Sequence, residues 1–144
     1  MATTTVSISN QVQRQRVKAV TITASVTLAD TDNYQEVNVG TDALVITLPK
    51  ITTANLGTTY TIRNIGADGN NIITISPDAV DGINGGFPFV TGSTASMNRA
   101  SGVVNKDFIN TKATTKVGDF VTIKAVALTK WFIEGGQGVW ASQA

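Results

Sequence analysis

More than a third of this chain is branched at Cβ. Thr (22), Val (16) and Ile (13) fill 51 of 144 positions, whereas Leu and Glu, two strong helix formers, number five and two. Branching at Cβ restricts χ1, which disfavours the helix and suits a pleated surface. A chain of this length is one domain's worth of sequence and can bury a core without staples. The expectation is therefore an all-β domain.

Alternation sharpens that expectation. Val20, Ile22, Ala24, Val26 and Leu28 share one parity, with Thr or Ser between them, which predicts one strand over 20–28. The same run follows Arg14, Arg16 and Lys18, but its polar residues at every second position rule out the continuous apolar core of a signal peptide. Further strands are predicted at 34–39, at 43–48 up to Pro49, at 59–65 and at 71–76 up to Pro77. Within 59–65, Tyr60, Ile62 and Asn64 share a face. Lys50 to Gly57 reads as a connection with room for one helical turn. Gly66 to Asn70 reads as a hairpin loop, and Asp78 to Gly86 as a second loop. The stretch from Phe87 to Gly118 is too long for a structureless connection, so part of it should pair as edge strands or sit at a subunit contact. Strands resume at 120–128 and at 131–134, joined by a two-residue turn at Thr129-Lys130, and the pattern ends at Val139-Trp140. Eight to ten short strands with Gly, Asn and Asp turns predict an antiparallel β-sandwich or jelly-roll-like barrel over residues 20–144. Residues 1–19 are polar, with Val6, Ile8 and Val12 too sparse to seal a core face, and read as a short extended N-terminal arm.

The chemistry on offer is narrow. There is no cysteine and no histidine, which removes thiol nucleophiles, zinc–thiolate sites and the commonest general base. Eleven basic against ten acidic residues give a net charge of +1, too balanced for life on nucleic acid or acidic lipid. No run approaches the roughly 20 apolar residues of a membrane span. Asp78, Asp81 and Asn84 could be weighed as a calcium loop, but calcium takes six to eight oxygens, and the plainer reading is a turn that caps its own backbone. Glu36 and Glu134 are the sole glutamates, and most aspartates sit in turn clusters, which disfavours a glycosidase pair. Gly135-Gly136-Gln137-Gly138 lacks the Lys-Ser/Thr and the helix of a phosphate loop, so a bend or bulge beside Trp140 is expected. Arg14, Arg16 and Lys18 have no interleaved aromatic to stack bases. Trp131 and Phe132 should point to opposite faces of their strand. No catalytic residue, cofactor, metal site or small-molecule substrate is expected.

A longer pattern runs through Ile46-Thr47-Leu48-Pro49, Gly57-Thr58-Thr59-Tyr60-Thr61-Ile62-Arg63-Asn64, Asn71-Ile72-Ile73-Thr74-Ile75-Ser76-Pro77 and Asp81-Gly82-Ile83-Asn84-Gly85, then Gly118 to Ile123 and Trp131-Phe132-Ile133. Over residues 34–134 this order resembles a β-rich module of tailed-bacteriophage virion structural proteins, found in tail-fibre tips and in capsid decoration (cement) or head-fibre proteins, commonly as trimers. The chain departs from the module in the segment 87–116 and at Thr129-Lys130.

The resemblance implies a non-enzymatic virion protein. A fibre needs a shaft and an attachment domain, for which this length leaves no room, so a decoration protein on the capsid exterior is expected, binding the major capsid protein and itself as a homotrimer. Val6, Ile8, Val12, Arg14, Arg16 and Lys18 are the candidate capsid contacts in the arm, and Phe87, Phe89 and Val90 the candidate intersubunit anchors. The alternative is a receptor- or glycan-binding tail-fibre-tip module, with Tyr34, Trp131 or Trp140 stacking on sugars.

Overall fold

The computed structural model describes residues 18–29 and 34–144. Their regular structure is all strand: β1 (Lys18–Ile22), β2 (Val26–Thr27), β3 (Tyr34–Val39), β4 (Leu44–Thr47), β5 (Thr59–Asn64), β6 (Ile73–Ser76), β7 (Gly82–Thr91), β8 (Thr94–Arg99), β9 (Phe108–Asn110), β10 (Phe120–Ala127), β11 (Lys130–Gln137) and β12 (Trp140–Ser142). They form a seven-stranded sheet, in the order β1-β3-β5-β10-β11-β7-β8, and a five-stranded sheet, in the order β12-β9-β6-β4-β2. The two pack as an all-β sandwich, as the composition predicts.

The first half of the chain is a coil. Each successive strand from β1 to β6 switches sheet, so that β1, β3 and β5 lie side by side in parallel, as do β2, β4 and β6. Side chains therefore stack in columns through the core: Val20 beside Val37 beside Ile62, and Val26 beside Ile46 beside Ile75. The corners stack as well, with the Leu28 N–H donating to Thr47 O and the Leu48 N–H to Ser76 O, both at 2.8 Å. Antiparallel strands then close the coil: β10 against β5, β11 against β10, β9 against β6 and β12 against β9. The strand β7 pairs parallel to β11 and turns back as the hairpin β7–β8 at the sheet edge.

The sheets are thus mixed where antiparallel ones were expected. Parallel neighbours need a crossover between them, and here each crossover is a strand of the opposite sheet. For the same reason Gly66 to Asn70 is not a hairpin loop: it carries the chain from β5 across to β6. The predicted strand 20–28 is two strands, β1 and β2, one in each sheet. Between them Ser25 Oγ accepts the Val45 N–H at 2.9 Å and so fixes the corner. The strand begins at Lys18, two residues earlier than expected. Lys50 to Gly57 contains turns and no helix, and the turn between β10 and β11 is Leu128-Thr129, with Thr129 at φ 63°. Gly82 to Gly86, expected as loop, is strand: a Cβ on Gly82 would meet Gly102 O at 2.8 Å, and one on Gly86 would meet Asn98 O at 2.0 Å. Glycine here permits close strand approach, a role that composition does not separate from a turn. The segment from Phe87 does pair at a sheet edge, in the hairpin β7–β8.

Two aromatic groups anchor the core. Tyr60 and Trp131, both essentially inaccessible, lie 5.9 Å apart between ring centroids, while Phe108 stacks on Trp140 at 5.6 Å and meets the Phe87 edge at 6.5 Å. Each fully buried aliphatic side chain between them, such as Ile46 or Ile62, contributes roughly 1.5–3 kcal/mol.

Candidate functional site: a cleft at the crossover end

The loops that leave β3, β5, β9 and β11 for the opposite sheet gather at one end of the sandwich, and a buried polar network satisfies them. Asn64 Nδ2 donates to Lys116 O at 2.8 Å, Thr115 Oγ1 at 3.1 Å and Gly66 O at 3.3 Å, while its Oδ1 accepts from the Gly66 N–H and from Asn71 Nδ2. Thr115 Oγ1 donates a hydrogen bond to Asn110 Oδ1, and Asn110 Nδ2 donates to Asp119 Oδ2 at 3.0 Å and to Val139 O at 3.1 Å. All five of these side chains are buried, and buried polar groups persist where they are paired in this way. At the rim Asp42 pairs with Lys112, and Asp68 with Lys116. The Val117 N–H and Lys116 hold the Asp68 carboxyl below its ordinary value, and Lys112 with the Ile72 N–H does the same for Asp42.

Beside this network a cleft of about 700 Å³ opens. Its cause is the divergence of two strands. The β7/β11 ladder stops at the pair Gly85–Ile133, next to a bulge in which Glu134 has no partner in β10. Beyond it the hairpin splays away and is tied back by Asn98, which donates from Nδ2 to Gly138 O at 2.8 Å. Pro88, Phe89 and Val90 form one wall of the cleft and Phe120 another, with Gly136, Gly138 and Asp119 also lining it. The Asp119 side chain is set by the tight turn before β10: Oδ2 accepts the Lys116 N–H at 2.9 Å as well as Asn110 Nδ2.

Several expected site residues fall elsewhere. Phe87 is only 4% exposed and packs on Phe108, so it belongs to this chain's own core and is not free to anchor a neighbour. Phe89 and Val90 line the cleft, with Val90 69% exposed. Trp131 and Trp140 are both buried, which removes them as sugar-stacking platforms. Phe132 faces the opposite way from Trp131 and is partly exposed. Lys18 opens β1 and is exposed, whereas Val6, Ile8, Val12, Arg14 and Arg16 lie outside the described residues. Tyr34 opens β3.

The weighed calcium loop is a structural corner. Asp81 is buried, and its Oδ2 accepts the Ile51 N–H at 2.8 Å. Among the described residues no cluster of three acidic side chains could hold a metal ion. Gly135 to Gly138 runs from strand into the crossover, where a Cβ on Gly136 would meet the Phe87 ring at 2.5 Å. In the sequence Asp119 is marked only as a carboxylate between Gly118 and the apolar strand that follows.

No protein-family model matches the chain, and no curated protein matches it.

Proposed function

We propose that the chain is a capsid decoration (cement) protein: it binds the outer surface of an assembled phage shell through the major capsid protein, associates as a homotrimer and stabilises the lattice without turning over a substrate. The observation that carries this reading is the hairpin β7–β8. It presents Val90 and Met97 to solvent, 69% and 52% exposed, on an edge that bears one charge, Arg99, between Gly82 and Arg99. Apolar side chains clustered on a projecting edge mark a contact surface. The outer face of the five-stranded sheet fits the same use. Thr27, Thr47 and Ser76 form one uncharged row there, and Val45, Thr74, Ile109 and Ala141 another. A subunit that binds only the assembled shell stabilises it by mass action, and contacts repeated over a lattice add through multivalency.

Co-sedimentation with purified empty shells of the same phage tests the reading. The intact chain should pellet with shells and raise their melting temperature. Val90→Asp should weaken binding without unfolding the protein, and Arg14→Glu with Arg16→Glu should weaken it if the arm contributes. An intact chain that stays in the supernatant, or that binds host-cell glycans instead, would sink the proposal.

A further inference from the structure

We infer that the cleft binds a cationic organic group, a guanidinium or ammonium on an apolar stem, with Asp119 as its counter-ion. The cleft shares Val90 and the hairpin β7–β8 with the proposed docking surface, whereas Asp119 belongs to the cleft alone. Asp119 is 1% exposed. Both of its side-chain hydrogen bonds fall on Oδ2, leaving Oδ1 without a hydrogen-bond partner among the described residues. The ion pairs among those residues join Arg63 to Glu36, Lys112 to Asp42 and Lys116 to Asp68, and none reaches Asp119. A carboxylate oxygen with free lone pairs at the wall of a narrow cleft is a strong acceptor for a charged donor.

The cleft supplies room for such a donor. A Cβ on Gly138 would lie 2.2 Å from Asp119 Cγ and 2.4 and 2.5 Å from its two oxygens, so a side chain there would displace the carboxyl, and glycine leaves it in place at the cleft wall. The volume of about 700 Å³ falls within the range of small-ligand pockets. Phe89, Pro88 and Val90 offer an apolar wall for a stem. Phe120 also lines the cleft, with Arg63 Cζ 4.7 Å from its ring centroid and that guanidinium paired with Glu36. Calcium would find a single carboxylate where it needs six or more oxygens, and the one cation among the described residues that lines the cleft, Lys116, has its Nζ engaged by Asp68.

The test is a titration of the ¹⁵N-labelled full-length protein with acetyl-arginine methylamide, with agmatine, and with the citrulline analogue, which has the same shape and no charge. The expected result is saturable shifts at the Gly136 and Gly138 amides, with citrulline at least tenfold weaker. Asp119→Asn keeps an oxygen for Asn110 and the Lys116 N–H and should lower arginine affinity at least tenfold. Phe89→Ala, which leaves Asp119 untouched, should also weaken binding. Tighter binding of the arginine amide than of agmatine assigns the site to a partner's side chain, and the reverse order to a free amine. Equal binding of citrulline, unchanged affinity in Asp119→Asn, or the absence of saturable shifts at tens of millimolar overturns the inference.

Discussion

Asn98 pairs with Trp140 as a neighbouring strand would. Its Oδ1 accepts the Trp140 N–H at 2.9 Å while its Nδ2 donates to Gly138 O at 2.8 Å, so one amide side chain replaces two ladder bonds where β11 crosses into β12. Asn98→Ala removes both and leaves the Trp140 N–H buried without a partner. We expect a loss of about 2 kcal/mol in urea denaturation, with the hairpin β7–β8 losing amide-exchange protection before the rest of the sheet. Asn98→Asp should cost at least as much, because it sets a carboxylate against the Gly138 carbonyl. A neutral Asn98→Ala would show that the hairpin is held by packing alone.

Asn64 is the hub of the crossover network, donating from Nδ2 to three acceptors. Asn64→Asp keeps the shape and removes those donors, so the new carboxylate faces three oxygens in a dry site. The expected cost is roughly 3 kcal/mol or more. It should be smaller in acid, where protonation of the introduced carboxyl restores one donor. Denaturation of Asn64→Asp near neutral and near acidic pH checks this: a cost that does not shrink in acid contradicts the donor assignment.

The strands themselves were legible because burial on one face imposes a period of two, and Tyr60, Ile62 and Asn64 follow it to the last residue. Even the buried amide was visible there, as the polar member of an apolar row. Pairing direction was not legible. A turn that reverses a strand within its sheet and one that passes it to the facing sheet use the same Gly, Asn and Asp residues, so Gly66 to Asn70 fits both. The Val20–Leu28 alternation likewise runs on in the sequence through a corner at which Ala24 is exposed, since β1 and β2 on either side both turn the same parity inward. The cleft was hidden for a different reason. It arises where the Glu134 bulge and the end of the β7/β11 ladder let two strands diverge, and no local pattern encodes that meeting.

The buried corner at Asp81 should give stability a pH dependence of unusual sign. Desolvation raises its carboxyl above 3.8. The Ile51 N–H partly offsets that rise, and the Asp78 charge adds to it. Its Oδ1 and the neighbouring Trp131 Nε1 are both buried and fall short of hydrogen-bond geometry, and the nearby indole N–H offsets the rise only slightly. Between 3.8 and the raised value the native state keeps a proton that the unfolded chain has released. Stability from this group is therefore fully present at the acid side of that window and falls as pH rises through it. Asp42 and Asp68, whose carboxyls are lowered, act oppositely: their contribution is lost as pH falls. Asp81→Asn removes the first trend and leaves the second. The stability difference between the natural protein and Asp81→Asn should thus decline with rising pH just above 3.8 and then level off. A difference that does not vary with pH would mean that Asp81 titrates alike in both states.

Three glycines at the end of β11 should respond unequally to the same added methyl group. Gly135 has open space around its Cβ position, so Gly135→Ala should stay within about 0.5 kcal/mol of neutral. At Gly136 the methyl would lie 2.5 Å from the Phe87 ring and 2.7 Å from Phe120 O, forcing the ring or the β10 backbone to move. Overpacking of that kind costs roughly 1–3 kcal/mol. At Gly138 two costs combine: φ is +96°, and the methyl would lie 2.2 Å from Asp119 Cγ. We expect Gly138→Ala to be the most destabilising of the three, at roughly 3 kcal/mol or more. The order follows from which backbone each Cβ would strike, so urea midpoints for the three variants test the strand geometry directly. Equal midpoints for Gly135→Ala and Gly138→Ala would contradict the close approach of the crossover to Asp119.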